Sequence, residues 1–124
     1  MMKPGLEIKK SKIHGRGIFA AEWLPKGTVI ERLAGSPQHY SNIPAGLLLR
    51  RSFEVSKDNY VVAEKGSAGW LLNHSDRPNC TYDMATREIT TKRKIRKGEE
   101  LTLDYNETTT WPGYADLWKG GKPP

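Results

Sequence analysis

Three clusters of polar residues interrupt otherwise apolar segments of this 124-residue chain. Asn73, His74 and Ser75 follow directly on Leu71 and Leu72, at the start of LLNHSDRPNC (71–80). Polar groups set against an apolar interior are costly unless paired, so this stretch is either a satisfied turn or a site. The second cluster is HGRGIFA (14–20), in which Gly15 and Gly17 flank Arg16 just before an apolar strand. Glycine admits positive φ, or lets main-chain atoms come close to a bound molecule. This is not a dinucleotide fingerprint, because the third glycine and the following helix are both missing. The third is GEELTLDYN (98–106), where a turn leads into a strand ending in Asp104-Tyr105. Such a strand can present a phenol at the edge of the core; a packed tyrosine with a satisfied hydroxyl is the alternative. His14, His39, His74 and Cys80 lack the spacing of zinc ligands, so no metal site is expected.

The elements that must position these residues are short. Turn signals recur at Pro4-Gly5, 15–17, Pro25-Lys26-Gly27, 35–37, 66–69 and Lys97-Gly98. Between them lie runs rich in β-branched and aromatic residues. These predict strands over 6–9, 18–20, 28–33, 53–56, 60–63, 70–72, 81–84, 88–95 and 100–104. A hairpin is expected from Thr81–Met84 through Ala85-Thr86-Arg87 to Ile89–Thr91. Residues 45–51 fit one or two helical turns, and no long amphipathic helix is expected. The class is mainly β, in a single domain. Residues 107–124 carry little strand signal but hold Trp111, Tyr114 and Trp118, aromatics that usually pack on something.

Composition limits the function classes. Hydrophobic residues are 36% and charged residues 27% of the chain, which suits a soluble globular protein with one modest core. No apolar run approaches a membrane span, and the opening MMKPGLEIKKSK lacks the apolar region of a secretory leader. The single cysteine, Cys80, allows no intrachain disulfide and no multi-cysteine zinc site. It suits a reducing, intracellular compartment. The net charge of +6, with a dense run at Lys92-Arg93-Lys94-Ile95-Arg96-Lys97, would attract nucleic acid or another acidic surface. A simply solvated basic face accounts for it equally well.

Taken together and in this order, the three clusters are far more specific than any one of them. A glycine pair before an apolar strand, then NHS-x-x-PNC, then GEEL-x-x-DY resembles the SET domain of protein-lysine methyltransferases. The resemblance covers about residues 6–106, with 107–124 as an aromatic tail. It is similar to the compact viral and bacterial members, and it implies several small sheets of short strands closed by a C-terminal pseudoknot. It also implies S-adenosylmethionine as cofactor and a lysine-containing protein, with a histone or histone-like tail favoured, as substrate. Methyl transfer to lysine is an in-line displacement that needs a neutral amine, so the site must desolvate and aim the side chain.

The same resemblance implies roles for individual residues. Tyr105 becomes the catalytic tyrosine, with its hydroxyl beside the transferring methyl. His14, Gly15, Arg16, Gly17, Asn73, His74, Tyr105 and Trp111 become the cofactor contacts. Tyr82, Tyr60 and Leu103 line the lysine channel, Tyr82 also counting as catalytic because its hydroxyl limits room for added methyls. Mono- or dimethylation is therefore expected. An outward, cross-strand Tyr82 is the structural alternative.

Two departures from the family pattern stand out. Leu33 occupies a position where a channel tyrosine is common, leaving Tyr60 or Tyr40 to substitute. No cysteine-rich closing segment follows the core, which leaves Trp111, Tyr114 or Trp118 to cover the adenine or channel wall. The compact relatives suggest a homodimer, and the basic surface suggests nucleic acid accompanying the substrate. Asp58, Glu64, Asp76, Asp83 and Asp104 are candidates for a local acidic groove toward a basic tail. The expected location is the cytoplasm or nuclear chromatin, in a host nucleus if the source is viral or a secreting bacterium. The competing function is an inactive SET-fold module that binds a peptide or nucleic acid.

Overall fold

The computed structural model describes residues 3–111 of the chain. In chain order the described residues form β1 (Leu6–Lys10), β2 (Arg16–Ala20), β3 (Val29–Arg32) and β4 (Gln38–His39). A 3-10 turn at Tyr40–Asn42 leads to the helix α1 (Ala45–Arg50), then β5 (Ser52–Ser56) and β6 (Asn59–Val62). The helical turn α2 (Ala68–Leu71) precedes β7 (Asn73–His74), β8 (Cys80–Asp83), β9 (Glu88–Thr91) and β10 (Glu100–Leu103). A 3-10 turn at Tyr105–Thr108 follows β10 directly.

The strands make three small sheets, ordered β1-β2-β10-β7, β3-β9-β8 and β4-β6-β5. In the first sheet β10 enters between two segments that precede it by many residues. It runs antiparallel to β2, with Leu101 opposite Ile18, and parallel to β7, with Thr102 opposite Asn73 and Leu103 opposite His74. Strands buried on both faces read as near-continuous apolar runs, and β10 behaves this way: Leu101, Thr102 and Leu103 are all buried. Leu101 and Leu103 join Ile18, Leu72, Ile89 and Ile95 in one core that draws on all three sheets, with Phe53 and Val61 from the third.

Asn79 supplies what β10 lacks in backbone partners. Its Nδ2 donates to the Glu100 carbonyl at 2.8 Å, and its Oδ1 accepts from the Thr102 N–H at 2.8 Å. One side-chain amide thus stands in for a neighbouring strand. Buried backbone groups must be paired, and this pair crosses 21 and 23 positions of sequence.

The predicted hairpin forms as β8 and β9, with Arg87 at φ +61 in its turn. The helical turns expected over 45–51 form as α1. Three expectations are corrected. Residues 70–72 are not a strand: Trp70 and Leu71 end α2, whose first turn is capped by the Ser67 hydroxyl accepting from the Trp70 N–H. A three-residue apolar run has no periodicity of its own, and the cap decides the outcome. The strand expected over 88–95 ends at Thr91, and Ile95 instead makes an isolated bridge to Leu24. The first glycine cluster is partly strand, since β2 begins at Arg16. β4, a two-residue strand rich in polar side chains, carries no sequence signal and exists because β6 pairs with it.

Replacing Asn79 by Ala leaves the Thr102 N–H and the Glu100 carbonyl without these bonds. Urea denaturation should show a loss of about 2–4 kcal/mol, the scale of two buried, unsatisfied backbone groups.

Candidate functional site

The β2–β10–β7 crossing brings all three sequence clusters to one place. Asn73, 7% exposed, sends its Nδ2 to the His14 carbonyl at 3.0 Å, the Arg16 carbonyl at 3.2 Å and Glu100 Oε2 at 2.9 Å. Ser11 Oγ donates to the same carboxylate, at 2.7 Å and 2.9 Å to its two oxygens. Asn73 therefore shapes the 14–17 loop from within, and its amino group is committed to protein acceptors. Gly15, at φ +48, occupies the left-handed region that favours glycine. Gly17 is needed for a different reason: a Cβ there would lie 2.3 Å from Glu100 Oε2 and 3.1 Å from Asn73 Nδ2. The bare backbone is what lets the half-buried carboxylate sit against β2.

His74 lies beside this layer and is buried. Its Nδ1 accepts the Tyr105 main-chain N–H at 3.0 Å. An accepting nitrogen carries no proton, so the neutral ring holds its proton on Nε2. Nε2 is 3.1 Å from Asp76 Oδ1 and donates to it. The tautomer is thus set by the backbone at the start of the 3-10 turn. Asp104 begins that turn, its Oδ1 accepting from the Asn106 N–H and Nδ2, both at 2.9 Å. Asn106 Oδ1 is buried and has no hydrogen-bond partner among the described residues.

Tyr105 stands edge-on to His74, ring centroids 5.4 Å apart. Its hydroxyl donates to the Leu72 carbonyl. Burial pushes the phenol up to about 12, against the pull of Arg51 and Arg50. Arg51 is itself fixed, its guanidinium 4.8 Å over the Trp70 ring and donating to the Trp70 carbonyl.

The other channel candidates gather around Glu54. Tyr82 points inward, 7% exposed, and its hydroxyl donates to the Glu54 carbonyl at 2.8 Å. Burial raises its phenol to about 12 as well. Tyr60 lies opposite Glu54 in the β5–β6 pair, and its hydroxyl bonds to Thr109 Oγ1. The buried Glu54 carboxylate accepts from the Asp58 N–H at 3.1 Å and from the Thr110 hydroxyl at 2.8 Å, with the Thr110 N–H as a third donor. Glu54 so holds the segment that follows Tyr105 against Tyr60 and Tyr82. A cleft of about 580 Å³ opens here, lined by Tyr40, Leu48, Leu49, Asp58, Tyr60 and Trp111 among others. Leu103 is placed in the core, fully buried, rather than on this cleft. Trp111 lines the cleft beside Tyr60. Tyr114 and Trp118 lie outside the described residues.

The expected acidic groove is divided. Asp58 lines the cleft, Asp76 and Asp104 flank His74, and Asp83 bonds the Ala85 N–H in the hairpin turn. Sequence reasoning assigned no role to Glu54, Glu100 or Asn79. Glu100 and Asn79 stood within quoted motifs, in GEEL and PNC, and a charged or amide residue beside an apolar strand was the available signal. Glu54 had none, since a lone Glu in a strand reads as solvent-facing.

Known proteins match this chain consistently. A family model described as the SET domain matches residues 15–106. Histone-lysine N-methyltransferase 2D of Homo sapiens is 28% identical over 120 residues, covering 83% of this chain and 2% of that protein. An H3 lysine-4 specific histone-lysine N-methyltransferase of Mycosarcoma maydis is 32% identical over 120 residues, covering 83% of this chain and 8% of the relative. Its H3 lysine-36 specific counterpart in Candida albicans is 44% identical over 59 residues, 42% of this chain and 7% of that protein. The chain therefore spans only 2% to 8% of the length of these curated relatives. A crystal structure of a Plasmodium falciparum protein designated a histone methyltransferase superposes with a TM-score of 0.66 at 24% identity, covering 83% of this chain and 94% of that one. It shows the same fold.

Gly17→Ala should force Glu100 and Asn73 apart. Thermal or urea unfolding is expected to show a loss of about 1–3 kcal/mol, the scale of overpacking a buried contact, with the 14–17 loop losing amide-exchange protection first.

Proposed function

This chain belongs to the SET-domain family, and from that premise we propose that it methylates the ε-amine of a lysine in a protein segment, using S-adenosylmethionine. The observation that carries this reading is Tyr105. Its phenol is fixed by the Leu72 carbonyl where the NHS and DY motifs cross. A phenol kept neutral in this way can position an amine and stabilise positive charge near a methyl without reacting itself.

The cofactor fits the residues present. Asn106 Oδ1, a buried acceptor without a partner among the described residues, suits an N–H of the adenosine or of the methionine ammonium. The main chain of His14, Gly15, Arg16 and Gly17, shaped by Asn73, would hold it, together with His74 and Tyr105. Bound there, it supplies an electrophilic methyl on a sulfonium. The chain does the rest. The cleft between Tyr60, Leu48 and Trp111 takes the substrate side chain, and its apolar walls favour the neutral amine over the ammonium. Asp58 at the same cleft attracts the cationic lysine before that proton is lost. Tyr82, locked to the Glu54 carbonyl, narrows the room for added methyls and favours mono- or dimethylation. The relatives are named for methylation of histone lysines, which supports a histone tail as the substrate and chromatin as the place of action. Among the described residues no helix is long and apolar enough to cross a membrane.

Labelled S-adenosylmethionine offered with core histones, ribosomal proteins and a cell lysate tests the proposal. Label should appear on lysine, with mass spectrometry showing one or two added methyls. Tyr105→Phe should lower turnover by about 100-fold or more while calorimetry shows cofactor affinity within a few fold. Absence of both label and cofactor binding would sink the enzyme reading in favour of a binding module.

The pH dependence follows from the same groups. Turnover should rise with pH as the substrate lysine, near pKa ~10.4 in free form, loses its proton. Tyr105 ionises only toward about 12, so the profile should show no falling limb below about pH 10.

A further inference from the structure

A second cavity, of about 690 Å³, is lined by Trp23, Arg93, Lys94, Arg96 and Glu99, none of which belongs to the site above. The bridge between Leu24 and Ile95 builds it. Leu24 and Ile95 exchange both backbone hydrogen bonds at 2.9 Å and are buried. Their chain neighbours Trp23, Lys94 and Arg96 therefore turn outward. Trp23 is 54% exposed, and the Lys94 ammonium lies 4.5 Å over its ring. Lys92, Arg93 and Lys97 are exposed beside them. The turn carrying Lys26 is tied to the same segment by the Gly27 N–H donating to the Thr91 carbonyl at 2.9 Å.

Arg93 is the cation most directly answered. It forms a two-bond pair with Glu99, at 2.8 Å and 3.2 Å, and holds that carboxyl below the usual carboxylate range. The other nearby carboxylate, Glu22, lies against the Gly5 turn. The Arg96 charge also pulls on Glu99, and its main-chain N–H donates to that carboxylate at 2.8 Å; among the described residues, Lys26, Lys92, Lys94 and Lys97 have no carboxylate partner. A solvated basic turn would account for the cations but not for a large indole left in water among them. An aromatic ring set within a field of cations is the arrangement that stacks a base and holds its phosphates.

We propose that this face binds single-stranded nucleic acid, with a base stacked at Trp23 and the backbone phosphates held by Lys92, Lys94, Arg96 and Lys97. The proposal does not depend on methyl transfer. A strand held here would tether the protein to a nucleic-acid-bound substrate while the aromatic cleft remains open to the lysine.

Fluorescence anisotropy of the full chain with short labelled oligo-dT, oligo-U and a duplex of equal length tests it across a range of salt. Single strands of either kind should bind more tightly than the duplex. The logarithm of affinity should fall with that of salt at a slope of roughly −2 to −3, as expected for three or four phosphates on a single strand. Trp23→Ala should weaken single-strand binding about tenfold with the slope unchanged. The double variant Lys94→Gln, Arg96→Gln should instead make the slope shallower by about 1.4. Both changes lie on exposed side chains, and circular dichroism with methylation of a free peptide checks that the fold and the other site persist. Equal or tighter binding to duplex, or full binding by Trp23→Ala, would overturn the proposal. So would equal competition by polyglutamate, which would assign the face to an acidic protein surface.

Discussion

A half-buried carboxylate set against a bare backbone organises this molecule. Glu100 sits over Gly17, accepts from Ser11 and Asn73, and lies at the start of the strand that completes the central sheet. A carboxylate in that position is tolerable only because charged hydrogen bonds replace the water it has lost. Each donor belongs to a different part of the chain, so the ion can be satisfied only once the N-terminal loop, β7 and β10 have met. The same contact then fixes the 14–17 backbone through the second and third bonds of Asn73.

From this knot the site extends in two directions. Toward the C-terminus, the parallel pairing of β10 with β7 brings the Tyr105 N–H to His74 and the Tyr105 hydroxyl to Leu72. One residue is gripped at both its backbone and its side chain by the segment 72–74. Toward the third sheet, the buried Glu54 carboxylate plays a similar part, satisfied by the nearby Asp58 N–H and by Thr110, 56 positions away. It ties the segment after Tyr105 to the strands that carry Tyr60 and Tyr82. Two carboxylates thus hold distant parts of the chain together around the three motifs.

The phenols inherit their character from this packing. Tyr82 and Tyr105 are both raised by burial and both donate to main-chain carbonyls. They remain neutral hydrogen-bonding groups across the working pH range. Cys80, which stands in the same motif region, is raised to about 12 by burial and behaves as a packing residue, not a nucleophile.

Much of this was legible in the sequence, for a physical reason. Strand positions, the 81–91 hairpin and the three polar clusters depend on local chemistry: β-branched runs, turn residues, and polar groups placed where only a partner makes them tolerable. Asn73, His74 and Tyr105 could be named because their types are out of place in an apolar run. The tertiary structure alone decided which partners satisfy them. No spacing indicates that the Asn73 amide would be spent on His14, Arg16 and Glu100, or that Asn79 would serve as a strand for β10. Nor does it mark Leu103 for the core while Tyr82 turns inward onto Glu54. Those outcomes rest on hydrogen bonds closing loops of 20 to 90 residues, and such contacts are written in the sequence only at their two ends. The helical turn at 68–71 and the two-residue strand β4 were lost for the same reason, since a few residues carry too little periodicity to choose a conformation that a cap or a neighbouring strand imposes.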